Sequence, residues 1–274
     1  MKTHKIIYSD KSVFKSPTIK NSLKKDSVEC IAEETPIAMV FNGISHVVMM
    51  ATPDNLEDFA KGFSISENIV CDIEEIYSIE VNRTDVGIEV DIDISNEAFN
   101  KLKDRRRNLI GRTGCGLCGA ESLNQVFNYH NSIQAITPQS FFSAKKILLA
   151  LDHLSKHQII QQQTGATHAA AFCNQDGEIL FAREDVGRHN ALDKLIGAFY
   201  THNSLIVENP FIIISSRASY EMIQKAAALK VALVVAISAP TELAVRLADK
   251  LGITLLGFAR GKNFNIYTHK ERIK

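Results

Sequence analysis

Hydrophobic and polar residues alternate along the first third of the chain in patterns that are typical of β-strands. Two apolar runs, residues 37–41 and 44–50, flank Asn42-Gly43, the dipeptide most typical of a tight hairpin turn. Apolar residues then recur at helical spacing between positions 56 and 63. The pattern therefore predicts a hairpin followed by an amphipathic helix.

A second pair of predicted strands covers residues 76–81 and 86–94. From Ile88 to Ile94 in the later strand every second residue is isoleucine or valine and those between are acidic, so one face of this strand is expected to be wet. A short helix is predicted over residues 97–107. Together these elements predict a small α+β domain with β-hairpins over residues 28–107.

The pattern changes near residue 138, where apolar runs begin to alternate with amphipathic helices. Strands are predicted at residues 211–214, 231–237 and 253–258, and helices at 141–154, 220–229 and 241–251. Continuous apolar strands separated by helices indicate a parallel or mixed sheet that is covered on both faces. Residues 138–274 are therefore predicted to form an α/β domain, in a chain that is α+β overall.

Two further segments complete the predicted organisation. Seven of the first 25 residues are lysine, and residues 1–27 are predicted to be a disordered basic tail. Residues 108–137 are predicted to be a flexible, glycine-containing loop and connector between the two domains.

Charge and cysteine content exclude several classes of protein. Lys plus Arg and Asp plus Glu both number 31, and with a formal net charge of zero no nucleic-acid partner is expected. The longest unbroken apolar run, Val231–Ile237, is too short to cross a bilayer. Five cysteines are not the even set of a secreted disulfide protein. The expected location is the cytoplasm, with no membrane association.

One CxxC motif carries the clearest chemical signal. Cys115 and Cys118 lie within Gly114–Gly119, where glycines precede, separate and follow the thiols. A thiol on such a loop is accessible to a partner protein. Arg105–Arg107 and Arg112 are close in sequence, and nearby cations favour the nucleophilic thiolate. The motif therefore predicts sulfur chemistry.

Polar turns follow each of the three predicted parallel strands. Ser216 and Arg217 follow the first, and Arg260 and Lys262 follow the third. Such turns share one edge of an open sheet, where ligands bind and where helix N-termini suit phosphate. The alternative is that the serines and threonines only cap helices. No GxGxxG or Walker motif is present, so a Rossmann or P-loop nucleotide site is unsupported.

Two histidines lie in stretches of unusual composition, one rich in small residues and one rich in charged residues. His168 is surrounded by small residues, and His189 lies within residues 183–190, a charged cluster directly before an amphipathic helix. The alternatives without a function are that His168 is an ordinary core histidine and that the charged cluster is a solvated face. The position of Arg188 and His189 at a helix start favours an anion.

Zinc is the competing use of the cysteines. A structural zinc site needs four ligands, and the chain offers one CxxC pair with no matching second pair. His153 and His157 have a suitable spacing but fall in a predicted amphipathic helix. No metal site is therefore predicted. A thioredoxin-like motif would need its CxxC at a helix start beside a strand.

The motifs together resemble those of the FdhD/NarQ family of formate dehydrogenase accessory sulfurtransferases. The resemblance runs from about Val28 to Ile273. It rests on Cys115-Gly-Leu-Cys118, Thr164-Gly-Ala-Thr-His168, residues 183–197, Ser215-Ser-Arg-Ala-Ser-Tyr-Glu-Met222 and Gly257-Phe-Ala-Arg260. Asn68 departs from the family pattern, in which glycine is expected after Glu67.

The resemblance implies a sulfur carrier that accepts persulfide sulfur from a cysteine desulfurase. It implies transfer of that sulfur to the molybdenum (or tungsten) bis-molybdopterin guanine dinucleotide cofactor of formate dehydrogenase, whose catalytic subunit is then a partner. It also implies a cytidine-deaminase-like three-layer α/β/α domain, a homodimer and recognition of the guanine nucleotide. By position Cys115 is the persulfide carrier, and the cofactor-binding segment is Phe258, Ala259, Arg260, Gly261, Lys262 and Asn263.

Several roles stay open at this point. Cys118 is an assisting thiol that releases sulfide, a second carrier, or simply a loop residue. Arg217, Arg260 and Lys262 are expected to hold phosphates, and His168 and His189 to contact ligand or transfer protons. The rival functions are a cofactor-binding chaperone without sulfur transfer and a structural zinc-binding protein.

Overall fold

The computed structural model describes residues 11–20, 25–110, 141–202 and 207–274. The strands are β1 (Val13–Lys20), β2 (Lys25–Ala32), β3 (Thr35–Phe41), β4 (Ile44–Ala51), β5 (Ile76–Thr84), β6 (Gly87–Ile94), β7 (His168–Cys173), β8 (Ile179–Asp185), β9 (Phe211–Ile214), β10 (Leu233–Ala236), β11 (Thr254–Arg260) and β12 (Asn263–Ile266). The α-helices are α1 (Leu56–Ser66), α2 (Asn96–Ile110), α3 (Ala144–Leu154), α4 (Ile159–Thr164), α5 (Arg188–Thr201), α6 (Tyr220–Ala227) and α7 (Glu242–Lys250).

A four-stranded sheet in the order β4-β3-β6-β5 forms the N-terminal unit. Asn42 (φ 45°) and Gly43 (φ 76°) both adopt the left-handed conformation that a two-residue hairpin turn requires, so the predicted turn is confirmed. In β6 the isoleucines and valines are buried, while Glu89 and Asp93 are exposed. The alternation of β6 therefore packs one face of this sheet against the core.

Asn68 stands where we expect glycine, and its φ is 51°. Asparagine tolerates this left-handed conformation better than most residues with a side chain. The departure from the family pattern therefore preserves the backbone conformation.

Part of the predicted disordered tail over residues 1–27 is β-strand in the structure, whereas residues 1–10 and 21–24 lie outside the described residues. β1 and β2 pair antiparallel, with Val13 opposite Ala32, and Ser12 Oγ donates to Asp54 Oδ1 at 2.5 Å. The lysine content of this stretch suggested a solvated tail. The backbone ladder between the two strands outweighs that signal.

The C-terminal unit is a six-stranded mixed sheet in the order β12-β11-β10-β9-β7-β8. β9, β10 and β11 are parallel to one another, as the alternation of strands and helices predicts. β7, β8 and β12 pair antiparallel with their neighbours and complete the sheet. The mixed α/β architecture is confirmed, whereas the cytidine-deaminase-like detail stays a prediction.

Helices cover both faces of this sheet. Along β9, Ile212 and Ile214 point into a core shared with α5, α6 and α7, while Phe211 and Ile213 point into a second core with α3. The first core also contains Ile37 and Ile92 of the N-terminal sheet. The two predicted domains are therefore joined through one continuous hydrophobic core.

Two glycines let α1 and α5 cross with their backbones in contact. A Cβ on Gly62 would lie 1.7 Å from the carbonyl oxygen of Asp193, and one on Gly197 would lie 1.8 Å from that of Asp58. These distances exclude any side chain at either position. The crossing fixes the N-terminal unit directly against the middle of α5.

Candidate cationic cleft

The turns that follow the parallel strands meet at one edge of the six-stranded sheet. Phe258 N donates to Ser238 O at 3.1 Å, and Ser238 N donates to Ser216 O at 3.4 Å. Arg260 Nε donates to Ile237 O at 3.1 Å, which ties the third turn to the second. The structure thus brings together the predicted ligand-binding turns.

A cleft of about 450 Å³ opens at this edge. Its lining residues are Gln158, Gln161, Gly165, Ala166, Thr167, His168, Ser215 and Ile237. Only His168 of this set is among the predicted site residues. Two further lining residues, Thr167 and Ser215, belong to the recognised motifs Thr164–His168 and Ser215–Met222. No sequence signal marked Gln158 and Gln161.

His168 lies at the start of β7, beside the end of β9. Its Nδ1 is 3.4 Å from Ser215 Oγ, which in turn accepts a hydrogen bond from Ala169 N at 2.9 Å. Burial and then the positive charge of Arg188 lower the pKa of His168, against an opposing effect of Asp185. His168 is therefore a neutral hydrogen-bonding group near neutral pH.

Arg188 and His189 form the first turn of α5, next to the cleft. His189 Nε2 lies 2.9 Å from Glu221 Oε2 at the start of α6. Burial and then the charge of Arg188 lower the pKa of His189. Arg188 Nε is shielded from solvent and has no hydrogen-bond partner in the described part of the chain. This pocket edge therefore carries positive charge and an unused donor.

Asp185 holds the turn that presents Arg188 and His189. Its fully buried carboxylate accepts hydrogen bonds from Gly187 N at 2.8 Å and from Thr52 N at 3.0 Å, and it lies 2.7 Å from Lys194 Nζ. Sequence analysis placed Asp185 only within a charged cluster. Its partner Thr52 belongs to the N-terminal unit, 133 residues away.

A second buried charge network connects α5, α6 and the C-terminal end of α1. Lys225 Nζ is 3.0 Å from Asp193 Oδ1 and 2.6 Å from Glu67 Oε1. Burial lowers the pKa of Lys225, but the carboxylates of Asp193 and Glu67 raise it by more, so the net pKa is raised. Lys225 is therefore a structural cation, satisfied by residues of both units.

The predicted cofactor-binding segment 258–263 is divided by burial. Phe258 adopts a φ of 51° and is half-exposed, and Gly261 has a φ of 59° in the turn between β11 and β12. Arg260, Lys262 and Asn263 are exposed as well. Ala259 is buried in the core below the sheet, so its side chain cannot contact a ligand.

The other predicted turn is divided in the same way. Ser216 is buried and donates to the carbonyl of Arg217, whereas Arg217 itself is exposed. Arg217, Arg260 and Lys262 are thus the accessible cations among the predicted site residues.

The predicted sulfur carrier Cys115 and the assisting Cys118 lie outside the described residues. Of the cysteines that the structure describes, Cys173 is buried, and burial raises the pKa of its thiol. Cys71 is exposed and Cys30 is half-buried. In the described ranges no group of three His, Cys, Asp or Glu side chains is placed to hold a metal ion.

Comparison with known proteins decides the family. The model of the FdhD/NarQ family matches residues 32–274. The chain belongs to the FdhD/NarQ family. The membership inferred from the motifs is thereby confirmed, and the matched range includes both cysteines of the CxxC motif.

Named relatives in this family align over most of the chain. The sulfur carrier protein FdhD of Cupriavidus necator is 50% identical over 244 residues, which cover 89% of this chain and 83% of the relative. The sulfur carrier protein FdhD of Variovorax paradoxus is 46% identical over 248 residues, which cover 90% and 88%.

A solved structure shares the fold of this FdhD/NarQ chain. It is a crystal structure described as that of a formate dehydrogenase accessory protein from Desulfotalea psychrophila. The TM-score is 0.73 at 22% identity, and the match covers 96% of this chain and 98% of the other. Among the described residues, no α-helix has both the length and the apolar character needed to span a bilayer.

Proposed function

We propose that this protein is a sulfur carrier that serves formate dehydrogenase. The observation that carries the proposal is its identity of 46–50% to two proteins named sulfur carrier protein FdhD. The CxxC motif at Cys115 and Cys118 supplies the sulfur chemistry that such a carrier needs.

The first step is acceptance of sulfur from a cysteine desulfurase. The Cys115 thiolate attacks the terminal sulfur of the desulfurase persulfide, forms Cys115–S–SH, and releases the desulfurase cysteine as a thiolate. One S–S bond forms as another breaks, so the exchange needs no external oxidant or reductant. The protein acts here as a sulfurtransferase.

The recipient is the bis-molybdopterin guanine dinucleotide cofactor of the formate dehydrogenase catalytic subunit, with molybdenum or tungsten as its metal. The cleft and the cations beside it support this part of the proposal. Arg188, Arg217 and Arg260 offer charge-assisted donors to phosphate, and the cleft volume of about 450 Å³ suits a guanine nucleotide. His168 and His189 add hydrogen-bonding groups beside them.

Cys118 assists the release of sulfur in this scheme. Its thiolate attacks Sγ of the Cys115 persulfide, which forms the Cys115–Cys118 disulfide and releases hydrosulfide. A cellular dithiol reductant then restores both thiols. We also propose that the carrier works as a homodimer in the cytoplasm.

A cofactor-binding chaperone that moves no sulfur is the second candidate function. The unused donor of Arg188 and the cleft beside it favour nucleotide binding whatever the cysteines do. The two functions differ in one respect: the chaperone binds guanine nucleotide with dispensable cysteines.

Sulfur loading tests the proposal directly. The protein is incubated with a cysteine desulfurase and cysteine and analysed by intact and peptide mass spectrometry. We expect a reducible gain of one sulfur atom on the Cys115 peptide that is absent in Cys115→Ser. The matched control is Cys71→Ser, because Cys71 is an exposed cysteine elsewhere on the molecule.

The same variants are then tested in cells that lack their own carrier. Cys115→Ser should abolish formate dehydrogenase activity, and Cys71→Ser should preserve it. No sulfur on either CxxC cysteine, with an active desulfurase, would favour the chaperone. Stoichiometric zinc in the purified protein would favour the structural zinc protein.

A further inference from the structure

Glu184 lies directly behind the wall of the cleft and has no part in the sulfur chemistry. It is buried, with 8% of its surface exposed. On β8 it follows Arg183 and precedes Asp185, whose side chains reach α1 and Thr52 in the N-terminal unit. Because neighbouring side chains on a strand point to opposite faces, the Glu184 carboxylate points the other way, toward α4.

The Glu184 carboxylate binds two segments of the cleft wall, the first turn of α4 and the residue before β7. It accepts hydrogen bonds from Ile160 N at 2.8 Å and from Gln161 N at 2.8 Å, both in the first turn of α4. It also accepts one from Thr167 Oγ1 at 2.9 Å, the residue before His168. The segment from Ile160 to Thr167 supplies half of the residues that line the cleft.

A further hydrogen bond locks the same wall. Gln161 Oε1 accepts a hydrogen bond from Thr167 N at 2.8 Å, which joins these two segments of the wall to each other. Gln161 and Thr167 both line the cleft. A displacement of Glu184 would therefore move cleft-lining atoms and the start of the strand that carries His168.

The three donors to Glu184 require a carboxylate rather than an amide. Both carboxylate oxygens accept, one from a single N–H and the other from an N–H and a hydroxyl. In glutamine one of these oxygens becomes an NH₂ group, which would face a donor. A buried acceptor changed to a donor forces its neighbours apart.

We propose that Glu184 is a positioning residue that sets the shape of the cleft for its nucleotide ligand. Glu184 itself does not touch the ligand; it acts through Gln161, Thr167 and His168. This inference rests on the proposed function, in which the cleft takes the guanine nucleotide of the cofactor.

The test compares Glu184→Gln with Asp58→Asn. Asp58 is the matched control because it is a mostly buried carboxylate that accepts from Arg183, the residue next to Glu184, but lies in α1, on the face of β8 opposite to the Glu184 carboxylate. GDP is the probe, and its Kd is measured by calorimetry for the wild type and both variants. Hydrogen exchange of residues 159–168 and the thermal midpoint are recorded on the same samples.

We expect Glu184→Gln to weaken GDP binding about tenfold and Asp58→Asn to change it by less than about twofold. Exchange at Ile160 and Gln161 should rise in Glu184→Gln at a thermal midpoint no lower than that of the control. If Glu184→Gln does not fold, Thr167→Val removes one of the three donors and should weaken GDP binding in the same direction, by less.

The failures of the inference and of the proposed function are distinguishable. Wild-type affinity in Glu184→Gln, or an equal loss in Asp58→Asn, would overturn the positioning role alone. A wild-type protein that binds no GDP would overturn the nucleotide site of the proposed function, and the inference with it.

Discussion

Two groups of buried or half-buried cations, Lys194 with Lys225 and Arg188 by itself, are partnered very differently. Lys194 and Lys225 each contact at least one buried carboxylate and further hydrogen-bonding groups. Arg188 contacts no carboxylate in the described part of the chain, and its Nε has no partner there. The lysines hold the scaffold together, whereas Arg188 retains hydrogen-bonding capacity that a ligand would use under the proposed function.

The cost of burying charge explains this difference. A buried ammonium is stable only when its partners replace the lost water, and Asp185, Asp193 and Glu67 do so for the lysines. A binding cation has to meet the same requirement with a group supplied from outside. Under the proposed function, unpaired charge at the cleft edge marks the region that would bind ligand, and paired charge marks the scaffold.

The largest effect is expected from breaking the scaffold network. Lys194→Met leaves the fully buried Asp185 carboxylate without its cation, and we expect a loss of about 3–5 kcal/mol in the free energy of unfolding. Urea denaturation measures it. Lys101→Met is the control, because Lys101 pairs with Glu97 on an exposed helix face and should change stability little. Similar losses in both variants would contradict the distinction.

Next in size is a steric test of the helix crossing that places α5. Gly62→Ala puts a methyl group into the Asp193 carbonyl, and we expect it to cost at least about 1–3 kcal/mol. Gly43→Ala is the control: its Cβ would meet nothing within 4 Å, so only the strain of its φ of 76° remains. Thermal unfolding of both variants separates packing from backbone strain. A smaller loss in Gly62→Ala than in the control would refute the close crossing.

A smaller effect, on binding alone, is expected at the cleft. Arg188→Met should weaken GDP binding about tenfold, because it removes a cation that the ligand neutralises. Its thermal midpoint should stay unchanged or rise, since no carboxylate is left unpaired in the described residues. Arg188→Lys should recover part of the affinity. A stability loss as large as that of Lys194→Met would place Arg188 in the scaffold instead.

The smallest expected effect is on pH dependence. Arg188 contributes to lowering the pKa values of His168 and His189, so a phosphate that neutralises Arg188 should raise both. Binding is then expected to take up protons, and GDP affinity should increase a few-fold as the pH falls from about 7.5 to about 6. Calorimetry in two buffers of different ionisation enthalpy measures the uptake. His168→Gln should reduce it, and equal heats in both buffers would rule it out.

The local elements could be predicted from the sequence because their signals are local. The turn at Asn42-Gly43, the alternation along β6, and the apolar runs that became β9, β10 and β11 each depend on neighbouring residues. The strand pairing of β1 was missed because the lysines nearby suggested a solvated tail. Its partner strand is only a few residues away, and the ladder outweighs the charge.

The candidate site was predicted only in part, for a related reason. The motif residues His168, His189 and Arg217 were recognisable as unusual groups. The residues that shape the site act across long separations: Asp185 with Thr52, 133 residues away, and Glu184 with Gln161, 23 residues away. No periodicity encodes such contacts, so Glu184 and Gln161 became visible only in three dimensions.

The hydrophobic core shared by both units has a consequence for how the chain can vary. Residues on either side of the cysteine-bearing stretch, such as Leu102 before it and Ala170 after it, belong to the same core. A polypeptide cut between residues 110 and 141 should therefore stay together as two associated fragments. Natural variation and protein engineering are then free to change residues between 110 and 141, apart from the proposed sulfur-carrying Cys115 and its neighbour Cys118, while the remainder of the molecule continues to assemble.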